Sequence, residues 1–223
     1  MFRRVRLPLL MLALLIASAP AWALKPFTAD YVASYMGMTG QGRMTLAREG
    51  NRWRYTLNVR NQVADLSQST VFEERDDQWR PLSGSDSSLL LVKKTNKNAT
   101  YDWARGVATW SGDVKADRAG PIALKPGDLD ALLVNLALVR DVAAGKPLRY
   151  RMVEDGRVKQ LVYTVAGHET IQVDGKPMRA TKVVNQDGKK RITAWIVDGL
   201  PVPARIVQQR KDETLELQVQ QVR

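Results

Sequence analysis

The chain has 223 residues, 34 Lys or Arg against 23 Asp or Glu, one histidine, no cysteine, and a formal charge of +11. The absence of cysteine excludes disulfides, thiol catalysis and thiolate zinc sites, and a single histidine is too few for a histidine-built metal centre. The basic balance points to anionic partners or to a solvated basic surface.

The chain opens with Arg3, Arg4 and Arg6, a short apolar run over residues 7–17, and Ala21-Trp22-Ala23. This is the pattern of a cleavable secretory signal peptide over residues 1–23, cut after Ala23, and the apolar run falls short of the roughly 20 residues of a membrane span. The leader holds three of the 34 basic residues and no acid, which leaves 31 basic against 23 acidic residues. Residues 24–223 are expected to form a single β-rich domain. Export to the bacterial periplasm makes nucleic acid a poor partner and anionic envelope components good ones. With no cysteine to lipidate, the exported form is expected to be soluble and not membrane-anchored.

Strand patterns follow. Residues 27–36 alternate, and Gly37, Gly40 and Gly42 suggest a turn or a strongly bent strand before residues 43–48. Residues 52–61 alternate most cleanly: Trp53, Tyr55, Leu57 and Val59 share one face and Arg52, Arg54, Thr56, Asn58 and Arg60 the other. A one-residue slip would bury the arginines, so the register is fixed and the outer face is wet, as in an antiparallel sheet. Residues 67–75 and 79–82 read as strands, 83–88 as a Ser/Gly/Asp loop or bend, 89–95 as a strand, and 98–103 with 107–111 as a hairpin.

One helix is predicted over residues 125–145. Leu129, Leu132, Leu133 and Leu136 recur at helical spacing, with Val134, Leu138 and Val139 widening the apolar surface. Asp128 is the expected N-cap, and Gly145 and Pro147 supply the stop. Beyond it, alternating runs are punctuated by Glu154-Asp155-Gly156, Asp174-Gly175, Asp187-Gly188 and Asp198-Gly199, which are hairpin signals. The expected fold is mainly β: a curled antiparallel sheet of about ten strands, a half-barrel, with one central helix in its concave side.

The helix at 128–140, the strand ending in Glu154-Asp155-Gly156, Val165-Ala-Gly-His-Glu-Thr-Ile171, Lys182-Val-Val184, Ala194-Trp-Ile-Val-Asp198 and Leu200-Pro-Val-Pro-Ala-Arg-Ile206 occur in this order. The order resembles the bacterial exported family catalogued as domain of unknown function 3108. The resemblance covers the chain beyond the leader, implies an exported envelope protein, and transfers no catalytic residue. The architecture is also similar to that of periplasmic lipoprotein carriers, whose half-barrels hold acyl chains in an apolar concavity.

Catalytic motifs are absent. His168 could serve a hydrolase as base, with Ser85, Ser87 or Ser88 as nucleophile, but no Gly-x-Ser-x-Gly elbow accompanies them. No phosphate loop, calcium-loop spacing or cofactor motif occurs. The expected function is non-enzymatic binding of a lipid or acylated envelope molecule under the helix, lined by Trp53, Tyr55, Leu132, Leu133 and Leu136. The alternative is an envelope interaction module using the basic face of Arg52, Arg54 and Arg60. No metal or cofactor is expected.

Overall fold

The computed structural model describes residues 24–35, 37–76, 78–90, 93–211 and 213–223. The expected signal peptide, residues 1–23, lies outside the described residues. The strands are β1 (Phe27–Tyr35), β2 (Met38–Glu49), β3 (Arg52–Arg60), β4 (Ala64–Arg75), β5 (Gln78–Leu90), β6 (Lys93–Asp102), β7 (Val107–Gly112) and β8 (Ile122–Ala123). The helix α1 (Ala131–Ala143) follows, then β9 (Arg149–Glu154), β10 (Arg157–Val162), β11 (Thr164–Val173), β12 (Lys176–Asp187), β13 (Lys190–Val197), β14 (Arg205–Arg210) and β15 (Glu213–Val222).

Thirteen strands form one antiparallel sheet in the order β11-β12-β13-β14-β15-β1-β2-β3-β4-β5-β6-β7-β8, while β9 and β10 pair as a separate hairpin. The expected mainly-β, curled antiparallel architecture with one α-helix is what the described residues adopt, with more strands than the ten or so expected. The sheet does not close on itself: β11 and β8 are its two edges. It curls steeply at the β11 end, where the Gln218 side chain on β15 donates to the Gln172 carbonyl on β11 at 2.9 Å. Register shifts at Asp30/Tyr31, Val71/Phe72 and Val165/Gly167 add local twist of the kind a curled sheet needs.

Two segments differ from the sequence reading. The loop or bend expected at residues 83–88 is part of β5, paired residue by residue with β4 and β6, and the strand expected at 89–95 is where β5 ends and β6 begins. Of the two readings for the early glycines, Gly37 takes the turn, with a φ of 80°, and Gly40 and Gly42 take the strand, within β2. A Cβ on Gly42 would stand 3.1 Å from that of Tyr31, and one on Gly40 2.6 Å from the Arg60 carbonyl, so both mark close approach of neighbouring strands.

In β3 the alternation falls as read, with Trp53 and Tyr55 buried and Arg52 and Arg60 exposed. The helix is buried nearly all round: Leu132, Leu133, Val134, Leu136, Ala137, Leu138 and Val139 are all in the core. It packs on β3, β4, β9 and β13. Its N-cap is Asp130, whose carboxylate accepts from the Leu133 N–H at 2.9 Å. Asp128, the expected cap, instead accepts from the Lys125 N–H at 2.8 Å and forms an ion pair with Arg151 of β9. A second small core, Ala99, Tyr101, Ala108, Trp110 and Val153, joins the β9–β10 hairpin to β6 and β7.

Candidate ligand cavity

Two cavities lie on the concave side of the sheet. The larger, about 340 Å³, sits between α1, the β9–β10 hairpin and the sheet. Val134 on α1, Met152 and Leu161 on the hairpin, and Met44, Leu57, Ile192, Ile206 and Leu217 on the sheet give it apolar walls. Its polar residues include Glu154, Lys159, Asn185, Asp187, Lys190 and Gln208, with Gln68 and Asn135 beside them. These polar residues arise from interrupted alternation. Lys159 shares its strand face with Leu161, and Lys190 shares its face with Ile192, so each charge is set on the apolar side of its own strand.

The smaller cavity, about 210 Å³, is polar and lies at the N-terminus of α1, where Thr70, Asp86, Lys97, Tyr101, Asp130 and Asp155 meet Leu132. Gln68 and Glu154 line both cavities and form their common wall.

Electrostatics concentrate at that wall. Asp130 accepts from the Thr70 hydroxyl as well as from Leu133 N–H, yet its burial raises its pKa, and those hydrogen bonds only partly offset the shift. Burial, first, and the Asp130 and Asp86 charges, second, push the Glu154 carboxyl up to about 7, against the pull of the Ala131 N–H and Lys190. Burial lowers the Lys190 pKa, and the Lys159 and Arg210 charges add to that, while Glu154 and Asp187 oppose it. Lys97 and Asp155 pair at 3.1 Å across the rim of the polar cavity.

The five residues expected to line a ligand site are placed differently. Trp53, Tyr55, Leu133 and Leu136 are buried in the main core and belong to neither cavity. The Tyr55 hydroxyl lies 3.2 Å from the Met44 sulfur, and its ring meets Phe27 edge to face at 5.9 Å. Leu132 reaches the wall of the polar cavity. The sequence singled out the most apolar positions, and those are the ones that close-pack. The lining lies instead where an apolar face carries a polar intruder, a signal already present at Lys159 and Asn185.

Of the basic face, Arg54 makes two hydrogen bonds to Glu49 at 2.6 and 3.1 Å, and Arg60 binds Asp65 at 3.0 Å. Arg52 is exposed beside the β2–β3 turn. Such paired surface arginines present little uncompensated charge. His168 is exposed on β11, with Nδ1 3.3 Å from the Thr181 hydroxyl, whereas Ser85, Ser87 and Ser88 lie on β5, at the first and tenth positions of the sheet order respectively. Among the described residues no cluster of three or more His, Asp or Glu side chains is placed to hold a metal ion.

A profile of the family described as "Protein of unknown function (DUF3108)" matches residues 27–218. The chain belongs to the DUF3108 family. The match spans every residue that lines the two cavities. No curated protein matches the chain in sequence. Among solved structures, a chain from the complex of MucA and MucB of Pseudomonas aeruginosa is similar at 11% identity and a TM-score of 0.40. The alignment covers 89% of this chain and 51% of that one, so the DUF3108 chain spans about half its length. No described helix is long and apolar enough to cross a membrane.

Proposed function

We propose that this DUF3108 protein is an exported, periplasmic binding protein that holds an amphiphilic envelope molecule, a lipid or an acylated protein, without acting on it chemically. The observation that carries this reading is the 340 Å³ cavity between α1 and the sheet. Its size lies within the range of about 300–1,000 Å³ typical of small-molecule sites. Its apolar walls suit an alkyl chain, and its charged groups set Lys159 and Lys190 beside Glu154 and Asp187, so that a lysine is available to the anionic group of a head and an acid to its cationic group. Burying alkyl chain in such a space contributes about 0.8 kcal/mol per methylene.

The reading is tested with a fluorescent fatty acid and by native mass spectrometry. Ile192→Phe with Ile206→Phe fills the cavity from two adjacent strands. The expected result is saturable binding to the wild type and at least tenfold weaker binding to the double variant, with circular dichroism confirming that both are folded. Lys190→Glu should weaken binding of the fatty acid while leaving the walls intact. Equal binding by all three proteins would exclude the cavity as the site.

A further inference from the structure

Because the sheet is antiparallel throughout, alternate turns fall at opposite ends. Those joining β1 to β2, β3 to β4, β5 to β6, β12 to β13 and β14 to β15 share one end. The larger cavity opens toward this end: Asp187, Lys190, Gln208 and Leu215 of its lining flank the β12–β13 and β14–β15 turns.

The charge of the two ends differs. At the cavity end Arg60 and Asp65 pair off. Beyond them stand Lys93, Lys94, Lys189, Lys190, Arg210 and Lys211, against Asp187 and Glu213. At the opposite end the signs are mixed, with Glu74, Asp76, Asp102 and Asp174 beside Arg75, Arg105 and Lys176. The cavity end also carries exposed large apolar side chains: Tyr35 is 39% exposed, Met38 45% and Leu89 43%, all beside the turns. From β12 to β6 the sheet takes nine interstrand steps of about 4.8 Å, which spreads these turns along roughly 40 Å of arc. A row this wide offers no single pocket to a small anion. It fits a broad anionic surface that also accepts shallow apolar contacts.

We infer that the cavity-end turns form a rim that docks the protein on an anionic lipid surface, with Lys93, Lys94, Lys189 and Lys211 meeting head groups and Tyr35, Met38 and Leu89 entering the interface. The inference rests on the cavity reading, since docking at this end sets the cavity mouth against the membrane from which an amphiphile would pass. The lysine at the mouth, Lys190, faces the like charges of Lys159 and Arg210 and the acids Glu154 and Asp187, a cluster that one lipid head group would relieve.

The test is vesicle flotation of the purified full chain. Vesicles contain phosphatidylglycerol mixed with phosphatidylethanolamine, or phosphatidylcholine alone. The rim variant is Lys93→Glu, Lys94→Glu, Lys189→Glu and Lys211→Glu. A variant of equal net charge, Arg52→Glu, Arg75→Glu, Arg105→Glu and Lys176→Glu, alters only the opposite end, and any binding by the N-terminal apolar stretch is common to all. The expected result is salt-sensitive binding to phosphatidylglycerol vesicles and little to phosphatidylcholine, weakened on the order of 10²-fold in the rim variant. The opposite-end variant should stay within a few-fold of the wild type. Equal loss in the two variants, or equal binding to both vesicle types, would overturn the inference, and so would retention on an acidic polymer without vesicle binding. The rim variant should still bind dispersed fluorescent fatty acid, and the cavity-filled Ile192→Phe/Ile206→Phe protein should still float, so the two readings fail separately.

Discussion

Glu154 makes the stability of this protein depend on pH in a direction opposite to that of a salt-bridged carboxylate. Its pKa is about 7 in the folded chain, against an ordinary 4.5. Between these values the unfolded chain has released the proton while the folded chain retains it, so unfolding releases a proton and stability falls as pH rises. A shift of this size corresponds to about 3 kcal/mol at 1.36 kcal/mol per unit, and water reaching a half-buried side chain reduces that to about 1–3 kcal/mol. The loss begins near pH 4.5 and is complete somewhat above pH 7. Burial raises Asp130 as well, which adds in the same direction. Glu154→Gln keeps the shape and removes the titration. Urea unfolding followed by circular dichroism at pH 5 and pH 8 should show the wild type losing this stability at the higher pH, and the Gln variant losing clearly less and exceeding the wild type at pH 8. Parallel pH profiles for the two proteins would refute the assignment of Glu154 as a buried, destabilised carboxylate.

Two further outcomes follow from packing. Leu133 is fully buried on α1, and Leu133→Ala should cost about 2–5 kcal/mol in the same urea assay. Gly156 and Gly175 both follow an aspartate with positive φ in a tight hairpin turn, but their surroundings differ. A Cβ on Gly156 would lie 2.1 Å from the Arg118 carbonyl, whereas one on Gly175 meets nothing within 4 Å. Gly175→Ala should therefore cost about 1–2 kcal/mol from backbone strain alone, and Gly156→Ala measurably more; equal costs would mean that the Arg118 segment yields freely.

Much of the fold was legible because burial and periodicity agreed. The face assignment of β3 could be read directly, since moving it by one residue would have placed Arg52, Arg54 and Arg60 inside. The Asp-Gly turns were legible because Asp155 and Asp174 take the positive φ that aspartate tolerates. What escaped was wherever the interior is polar. Residues 83–88 of β5 place Gly84, Asp86 and Ser88 on the concave side, opposite Thr70, Gln68 and Leu66 of β4, so hydrophobic alternation had nothing to report there. The helix cap escaped because Asp128 and Asp130 are both suitable in isolation, and the choice is made by Arg151, on a strand 23 residues further along, which claims Asp128. The cavity lining escaped for a related reason. A search for greasy positions finds the packed core, while an accessible hollow is marked by charges such as Lys159 that share a face with leucine.

The open sheet is bridged between its flanks by the β9–β10 hairpin. On one side the Tyr101 hydroxyl of β6 donates to the Val153 carbonyl at 3.0 Å, and on the other the Asn185 amide of β12 donates to the Val162 carbonyl at 2.8 Å. In a closed barrel the bore is dictated by strand number and shear. Here the span between β6 and β12 is held by a keystone of twelve or so residues with its own two-stranded pairing. Such a vault can change its width by shifting one small insert, without breaking a single rung of the thirteen-stranded ladder.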